Sequence, residues 1–324
     1  MRICFLDQTK FEYSDKDKYS PNLRGAETIL INLSNKLKEK GHDVIVYNNC
    51  PKGYESKNWK HLNSAKSDNI NFDIGISNAD INLFNFIKAK KKYVISYSLQ
   101  SIEKFIRKKQ LFSYIKHKPK YILIGDYHMK NRSKLITLFG SEVLSLAVDN
   151  IFINTQINDH INPHQAIFTS RADRNSDLLI KIWKQKIFPK FKYGKLLITP
   201  NNNRDSNYNI FERNMDSQNN LIRDLLNSRV FLVPGHKAEL YCLAAEEARE
   251  LCVPIITLGI GSLSERVKHG ITGFIAKSEH EFAYYTLEMF NNKKLWNEIR
   301  SNLLKLRGSA NWEITTKKFL KIIT

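Results

Sequence analysis

Short apolar runs of strand length alternate with amphipathic helical stretches along this chain, and that alternation restricts the fold to the α/β class. The first run is Ile3–Leu6. Ala26, Ile29, Leu30, Leu33 and Leu37 follow with the three-and-four spacing of one helix face. Gly41 stands where that helix must end in a left-handed residue. Val44–Tyr47, Phe72–Ile76, Tyr93–Ile95 and Tyr121–Ile124 read as the next strands. Continuous apolar strands separated by helices make a parallel sheet covered on both faces.

The second half repeats the plan. Ala166–Phe168, Lys195–Thr199, Val230–Val233, Pro254–Thr257 and Phe274–Ala276 read as strands. Leu178–Trp183, Asn219–Leu226 and Leu243–Leu251 read as helices between them. Three helical stretches, around Glu279–Asn291, Lys294–Lys305 and Trp312–Ile323, finish the chain. A polar run, NTQINDHINP, separates the halves. The 324 residues suit two domains. The expected division is 1–155, 156–305 and a terminal helix within 306–324 that packs back on the first domain, with Trp312 and Phe319 as packing residues. An apolar fraction of 42% and a charged fraction of 26% exclude disorder and coiled coil. No run of about 18 apolar residues is present, so no membrane-spanning helix is expected. The N-terminus reads directly into a strand and lacks a signal-peptide pattern. Cys4, Cys50, Cys242 and Cys252 show no metal-ligand spacing and read as reduced thiols of a cytoplasmic protein.

The charge is uneven. The chain carries +19, and fourteen basic residues between Lys88 and Lys134 face only Glu103 and Asp126. A lysine-rich codon bias would spread charge evenly, so this cluster reads as a basic face on the first half.

The most informative stretch runs from Ala238 to Ala276, after an apolar strand that ends in Val233-Pro234-Gly235. Glu239 falls in the loop at that strand's carboxyl end, and Glu247 inside the next helix. A carboxylate can accept hydrogen bonds from both hydroxyls of a vicinal diol, so two placed this way suit a sugar and a ribose. The helix's first amides would face a diphosphate between them. On spacing alone, the simpler reading is that Glu239, Glu246, Glu247 and Glu250 are helix-surface charges.

The order of motifs changes that weighting. Glu239, Glu247, Val253-Pro254, Gly259-Ile260-Gly261, Glu265-Arg266-Val267 and His269-Gly270-Ile271-Thr272-Gly273-Phe274-Ile275 follow one another over about 40 residues. This segment resembles the donor half of retaining GT-B glycosyltransferases of the family 4 type, the group 1 glycosyl transferases. Arg24-Gly25-Ala26-Glu27 is similar to the family's glycine-containing first helix start, with an arginine replacing one glycine. Phe168-Thr169-Ser170-Arg171-Ala172-Asp173-Arg174-Asn175 is similar to its second-domain start. There Arg171 matches the family's arginine, Arg174 stands for its lysine in a shortened loop, and Asn175 stands for its glycine. Leu146-Ala147-Val148-Asp149 is similar to the family's interdomain linker. Many members carry a histidine after the fourth strand; here Tyr97-Ser98-Leu99-Gln100 has none, and Ser98 or Gln100 takes its place.

The resemblance implies two doubly wound Rossmann-like domains facing across a cleft. It implies transfer of a sugar, with retention, from a nucleoside diphosphate-sugar to an acceptor hydroxyl. The pathway it suggests is cell-surface polysaccharide or lipopolysaccharide synthesis. Arg171, Arg174 and Glu239 would be catalytic, the arginines neutralising the leaving diphosphate and Glu239 orienting the donor sugar. Gly25, Ser170, Tyr241, Cys242 and Glu247 would complete the donor site, Glu247 holding the ribose. No metal and no cofactor are expected. His236 has even odds of lining the site, and His128 and His164 read as surface or boundary residues.

Two other classes remain. The +19 charge suggests a nucleic-acid-binding protein, but the basic segment lacks regular aromatic interleaving and no helix-turn-helix or zinc motif is present. A catalytically inactive nucleotide-sugar-binding protein on the same fold is the other, suggested by the missing histidine. A sugar-nucleotide epimerase shares the architecture but not these motifs. Ser101–Lys116 reads as one basic amphipathic helix with Ile102, Phe105, Ile106, Phe112 and Ile115 near one side. Its Lys104, Arg107, Lys108 and Lys109 would rest on the inner, anionic face of a membrane, near a glycan or lipid-linked acceptor.

Overall fold

The computed structural model describes residues 1–18, 20, 23, 25–51, 53, 54, 56–157, 161–215 and 217–324. Among these no helix is long and apolar enough to cross a membrane. The chain forms two compact units, Met1–Ala147 with Trp312–Thr324, and Val148–Asn311.

The first unit is built on seven strands: β1 (Arg2–Leu6), β2 (Asp43–Asn48), β3 (Trp59–His61), β4 (Asn71–Asn78), β5 (Lys88–Ser96), β6 (Lys120–Leu123) and β7 (Ser141–Val143). They lie in the order β3-β2-β1-β4-β5-β6-β7, all parallel. Helix α1 (Gly25–Glu39) crosses between β1 and β2. It buries the expected Ile29, Leu30, Leu33 and Leu37, and Ile31 as well. Gly41 takes φ +80° just beyond its end. Short helices α2 (Ser64–Ser67), α3 (Ile102–Arg107), α4 (Leu111–His117) and α5 (Asp126–Lys130) complete the wrapping.

The single helix expected over Ser101–Lys116 is two. Lys109 adopts φ +52°, and Gln110 N–H donates to the Phe105 carbonyl at 3.1 Å while Lys109 N–H donates to Ile106 at 2.8 Å. That bond pair is the Schellman motif, which ends a helix. A lysine rather than a glycine fills the left-handed position, so no local signal marks the break. The buried Gln110 supports it by donating to Asp80 Oδ1 at 3.0 Å.

The second unit opens with α6 (Asn150–Asn154), capped by Asp149, whose Oδ1 accepts from Ile151 N–H at 3.1 Å. Six strands follow: β8 (Asn162–Phe168), β9 (Lys195–Ile198), β10 (Ile210–Glu212), β11 (Ser228–Leu232), β12 (Ile255–Thr257) and β13 (Gly273–Ile275). Their order is β10-β9-β8-β11-β12-β13, again all parallel. Between and after them come α7 (Ser176–Ile182), α8 (Gln218–Leu226), α9 (Leu243–Glu250), α10 (Leu263–Arg266), α11 (Glu279–Asn291) and α12 (Lys293–Leu306).

The division at Ala147/Val148 corrects the expected boundary after residue 155. Phe152 is buried in the second unit's core. The Arg307 guanidinium also gathers the carbonyls of Phe152, Ile153 and Thr155 at 3.2, 2.8 and 2.8 Å. The same contacts keep 306–311 with the second unit. Of the polar run, Asn158, Asp159 and His160 lie outside the described residues. The last helix, α13 (Trp312–Ile323), belongs to the first unit. Phe319 stacks on Phe5 with centroids 6.4 Å apart, and Tyr93 donates its hydroxyl to the Ile322 carbonyl at 3.2 Å. Because α13 packs on α1, α1 buries more than the one face its periodicity shows.

Candidate active site

Both sheets reverse strand order at one point, beside β1 and β4 in the first unit and beside β8 and β11 in the second. Connections leave such a point in opposite directions and open a crevice at the strands' carboxyl ends, where α/β proteins bind ligands. In the second unit three loops meet there. Asn175 opens α7 in the left-handed region at φ +64° and donates its side-chain amide to the Gly235 carbonyl. That ties the loop after β8 to the loop after β11. Gly261 ties in the third, because a Cβ at this position would come within 2.3 Å of the His236 carbonyl oxygen. Ser262 N–H, next to it, donates to the Glu239 carbonyl at 2.9 Å.

This stitching brings Arg174 and Glu239 together. Arg174 Nε lies 3.3 Å from Glu239 Oε2, and its Nη1 donates to Asp173 Oδ2 at 2.9 Å. Burial pushes the Glu239 carboxyl above its ordinary range, against the pull of Arg174 and of the Cys242 backbone N–H it accepts. Arg171 also donates to Asp173, at 2.9 Å. Its side chain is 74% exposed, whereas that of Arg174 is 18% exposed, so the two expected phosphate contacts are unequal. Ser170 and Cys242 are buried together, Oγ to Sγ 3.8 Å. Cys242 sits at φ +57° as the cap of α9. The Tyr241 ring is buried under the Arg266 guanidinium, 4.2 Å from its centroid. With both side chains inside, positions 241 and 242 offer a ligand mainly the backbone that leads into the helix, whose first amides have no intrahelical acceptor.

The three glutamates of α9 divide sharply. Glu246 pairs with Arg249 and Arg266 at 2.8 Å each. Glu250 accepts from Gly308 N–H at 2.7 Å and pairs with Arg249 at 3.0 Å. The Glu247 carboxylate has no hydrogen-bond or ion-pair partner among the described residues. Glu247 is half-buried, and burial pushes its carboxyl up to about 7, with Arg213 pulling it down and Asp149 adding to the rise. A carboxylate this desolvated is suited to a partner brought by a ligand.

Residues 203–305, which hold Arg213, Glu239, Glu247 and Arg266, match the model of a family described as glycosyl transferases group 1. The chain also superposes on Anabaena Alr3699/HepE in complex with UDP-glucose. The TM-score is 0.68 at 14% identity, covering 100% of this chain and 99% of that one. The chain has the GT-B fold. Thermosynechococcus elongatus sucrose-phosphate synthase superposes with a TM-score of 0.68 at 13% identity, covering 99% of this chain and 98% of that one. S. aureus TarM, solved as a point mutant in complex with Fondaparinux, alpha-GlcNAc-glycerol and UDP, gives 0.59 at 15% identity over 78% of this chain. The chain spans 55% of the TarM chain, about half its length. At these identities the likeness is one of fold. No curated protein sequence matches the chain.

The remaining expected residues are scattered. Gly25 opens α1 in the first unit, and Arg24 beside it lies outside the described residues. His236 is half-buried, its Nδ1 accepting from Ala238 N–H at 3.1 Å. Ser98 and Gln100 follow β5, where Lys104 Nζ lies 3.3 Å from Ser98 Oγ. His128, read as a surface or boundary residue, is buried instead. It faces inward from α5, takes the Ile124 amide at 3.4 Å and is pushed down to about 4 by burial.

Three features at the strands' carboxyl ends, two in the second unit and one in the first, escaped sequence reasoning. Asp173 bridges the two arginines; a carboxylate beside two arginines reads as solvated charge unless the loop's shape is known. Arg213, buried and 3.3 Å from Asp224, acts on the Glu247 carboxyl electrostatically from a distant loop, with no local signal. In the first unit, Asp7 and Glu27 are buried at the carboxyl end of β1. Asp7 Oδ2 accepts from Tyr13 at 2.8 Å and also from Thr9, Oδ1 accepts from Asn78 at 3.1 Å, and Thr9 reaches Glu27 at 3.3 Å. An aspartate directly after an apolar strand was the signal available for that cluster.

Proposed function

We propose that this protein is a glycosyltransferase that moves a hexosyl group, with retention and without a metal, from a nucleoside diphosphate donor to a hydroxyl of a surface polysaccharide, lipopolysaccharide or lipid-linked glycan. Glu247 carries this reading: among the described residues, it is the glutamate of α9 with no arginine or amide at ion-pair or hydrogen-bond distance. Its carboxylate would accept from both ribose hydroxyls. The diphosphate would lie against the first amides of α9, with Arg171 and with Arg174, whose Nη2 is left over after Asp173 and Glu239 take Nη1 and Nε. As the sugar–phosphate bond breaks, negative charge grows on the leaving oxygen, and the guanidinium groups stabilise it there. Glu239, pinned by Arg174, would hold the donor sugar's hydroxyls and fix the anomeric carbon. The solved neighbours add support, since one holds UDP-glucose and another UDP with alpha-GlcNAc-glycerol.

The test is a panel of nucleotide-sugars, read by melting temperature and then by transfer to acceptor glycans, with the product's anomeric configuration assigned by NMR. A nucleoside diphosphate should raise the melting temperature and the product should keep the donor's configuration. An inverted product would overturn retention. Stabilisation by oligonucleotides alone would replace this reading with nucleic-acid binding, and nucleotide binding without transfer would replace it with an inactive binding protein.

A further inference from the structure

The expected amphipathic helix has its apolar side outward. Phe105 and Tyr114 turn inward from α3 and α4 and meet edge to face, centroids 5.3 Å apart. The rest of the stripe stays in solvent: Ile106 is 57% exposed, Phe112 76% and Ile115 59%. Leu135 and Leu138, 64% and 69% exposed, join them. Their backbones are tied to α4 through the Tyr114 hydroxyl, which donates to the Leu135 carbonyl at 3.1 Å and accepts the Leu138 amide at 3.0 Å. Single exposed apolar residues are ordinary, whereas a concentration on one structure marks an interaction surface.

The charges here are equally unspent. At the start of β5 the lysines have partners: Lys90 pairs with Asp73, Lys88 meets Asn69, and Lys91 reaches the Thr324 carbonyl. Lys104, Arg107, Lys108 and Lys109 have no carboxylate at ion-pair distance among the described residues. Partial burial and the neighbouring Lys108 and Arg107 hold the Lys104 ammonium below its ordinary value.

We propose that α3, α4 and the 135–138 segment form a docking surface for an anionic phospholipid bilayer, on which the protein rests without spanning. A bilayer answers both halves of the observation. Its interface takes Phe112, Ile115 and their neighbours, and its headgroups take the unpaired cations. A nucleic acid would take the cations and leave the apolar side chains in water. A second copy of the chain would bring the same uncompensated positive charge against itself. The surface is built from residues of the first unit and the proposed donor site from residues of the second, so this inference stands or falls apart from the catalytic one.

The experiment is co-sedimentation of the full chain with phosphatidylcholine vesicles containing about one-third phosphatidylglycerol, against phosphatidylcholine alone, at low and high salt. Each basic residue at an acidic surface is worth about fivefold in partitioning, so anionic vesicles should bind far better, and less at high salt. The double variant Phe112→Glu, Ile115→Glu should lose binding at least about tenfold, since burying those side chains contributes as much as the charges. Both residues are exposed, so its melting temperature and its UDP binding should match the parent's. Charge reversal at Arg107, Lys108 and Lys109 should abolish the preference for anionic vesicles. The proposal is overturned if the parent does not bind at low salt, or binds neutral vesicles equally. It is overturned as well if the double variant binds like the parent, or if the double variant instead breaks a dimer or oligonucleotide binding. Loss of vesicle binding with UDP binding intact touches this surface alone; loss of UDP binding with vesicle binding intact touches the catalytic reading alone.

Discussion

At the carboxyl end of β1 the first unit buries two acids, Asp7 and Glu27, while at the matching end of β8 the second unit gathers Arg171 and Arg174. The strand orders around both points are the same. Strand order therefore decides where a crevice opens, and the loop residues decide what it can take. Asp7 at the one end and Arg174 and Glu247 at the other differ in how far they are already satisfied. Asp7 spends both oxygens on Tyr13, Thr9 and Asn78, all from its own unit. In the second unit, Arg174 keeps one nitrogen over and the Glu247 carboxylate has no partner among the described residues. Internally satisfied groups hold a fold together, and unsatisfied ones are available to a ligand.

The contrast breaks most visibly at Arg174. Arg174→Ala should lower turnover by about 10²–10³-fold, the usual cost of removing one donor to a developing anion. Arg171→Ala should cost less, because its side chain is mostly exposed. In both, turnover should fall more than the donor's Michaelis constant rises. Steady-state kinetics of the two variants decides it: parental turnover in both removes these residues from the mechanism. Equal losses would remove the ranking that exposure gives.

Glu247→Ala comes next. Losing a pair of charge-assisted bonds to ribose should weaken UDP or GDP binding by about 1.5–3 kcal/mol. Isothermal titration with the free nucleotide reads this directly, and unchanged affinity in a folded variant would make Glu247 a helix-surface charge. The same carboxyl gives a pH test. With its free value pushed up to about 7, it is largely neutral near pH 6 and ionised near pH 8, and the ionised form is the better acceptor. Nucleotide affinity of the parent should therefore rise as much as about tenfold over that interval relative to Glu247→Gln, in which the nucleotide's own titration is the remaining contribution. The sign for stability is the opposite. A carboxyl raised from 4.5 contributes stability below that pH and loses it as pH climbs through about 7. A pH profile shared by parent and Glu247→Gln would count against the assignment.

The smallest expected effect lies on the other side of the comparison. Asp7→Asn keeps one acceptor and mismatches another, so it should cost about 1 kcal/mol of stability by denaturant unfolding. Nucleotide affinity should not change. A change there would mean that the acidic end of β1 communicates with the donor site, and the division between satisfied and unsatisfied ends would fail.

Much of the architecture was legible because it rests on local periodicity. The strands β1, β2, β4 and β6 and the core face of α1 follow from apolar runs and three-and-four spacing. The segment after β11 was legible for a different reason, since order and spacing from Glu239 to Ile275 form a long motif. Elements without a strong pattern were missed: β3, β7 and β10 are three-residue edge strands whose pairing partners, and no run of their own, make them strands. The break at Lys109 was hidden because its cap is a lysine.

By itself the sequence determined the α/β class, the repeated βα order, the concentration of positive charge between Lys88 and Lys134, and which residues stand at the carboxyl ends of strands. These depend on neighbours a few residues apart, which a linear chain displays. Only the tertiary structure decided that Glu239 meets Arg174, that Arg213 acts on Glu247, that among the described residues Glu246 and Glu250 pair with arginines while Glu247 does not, and that Phe112 and Ile115 face water while Phe105 does not. The reason is physical. Burial and pairing are set by which distant segments arrive at the same place, and the same glutamate or isoleucine is structural or available according to what packs against it.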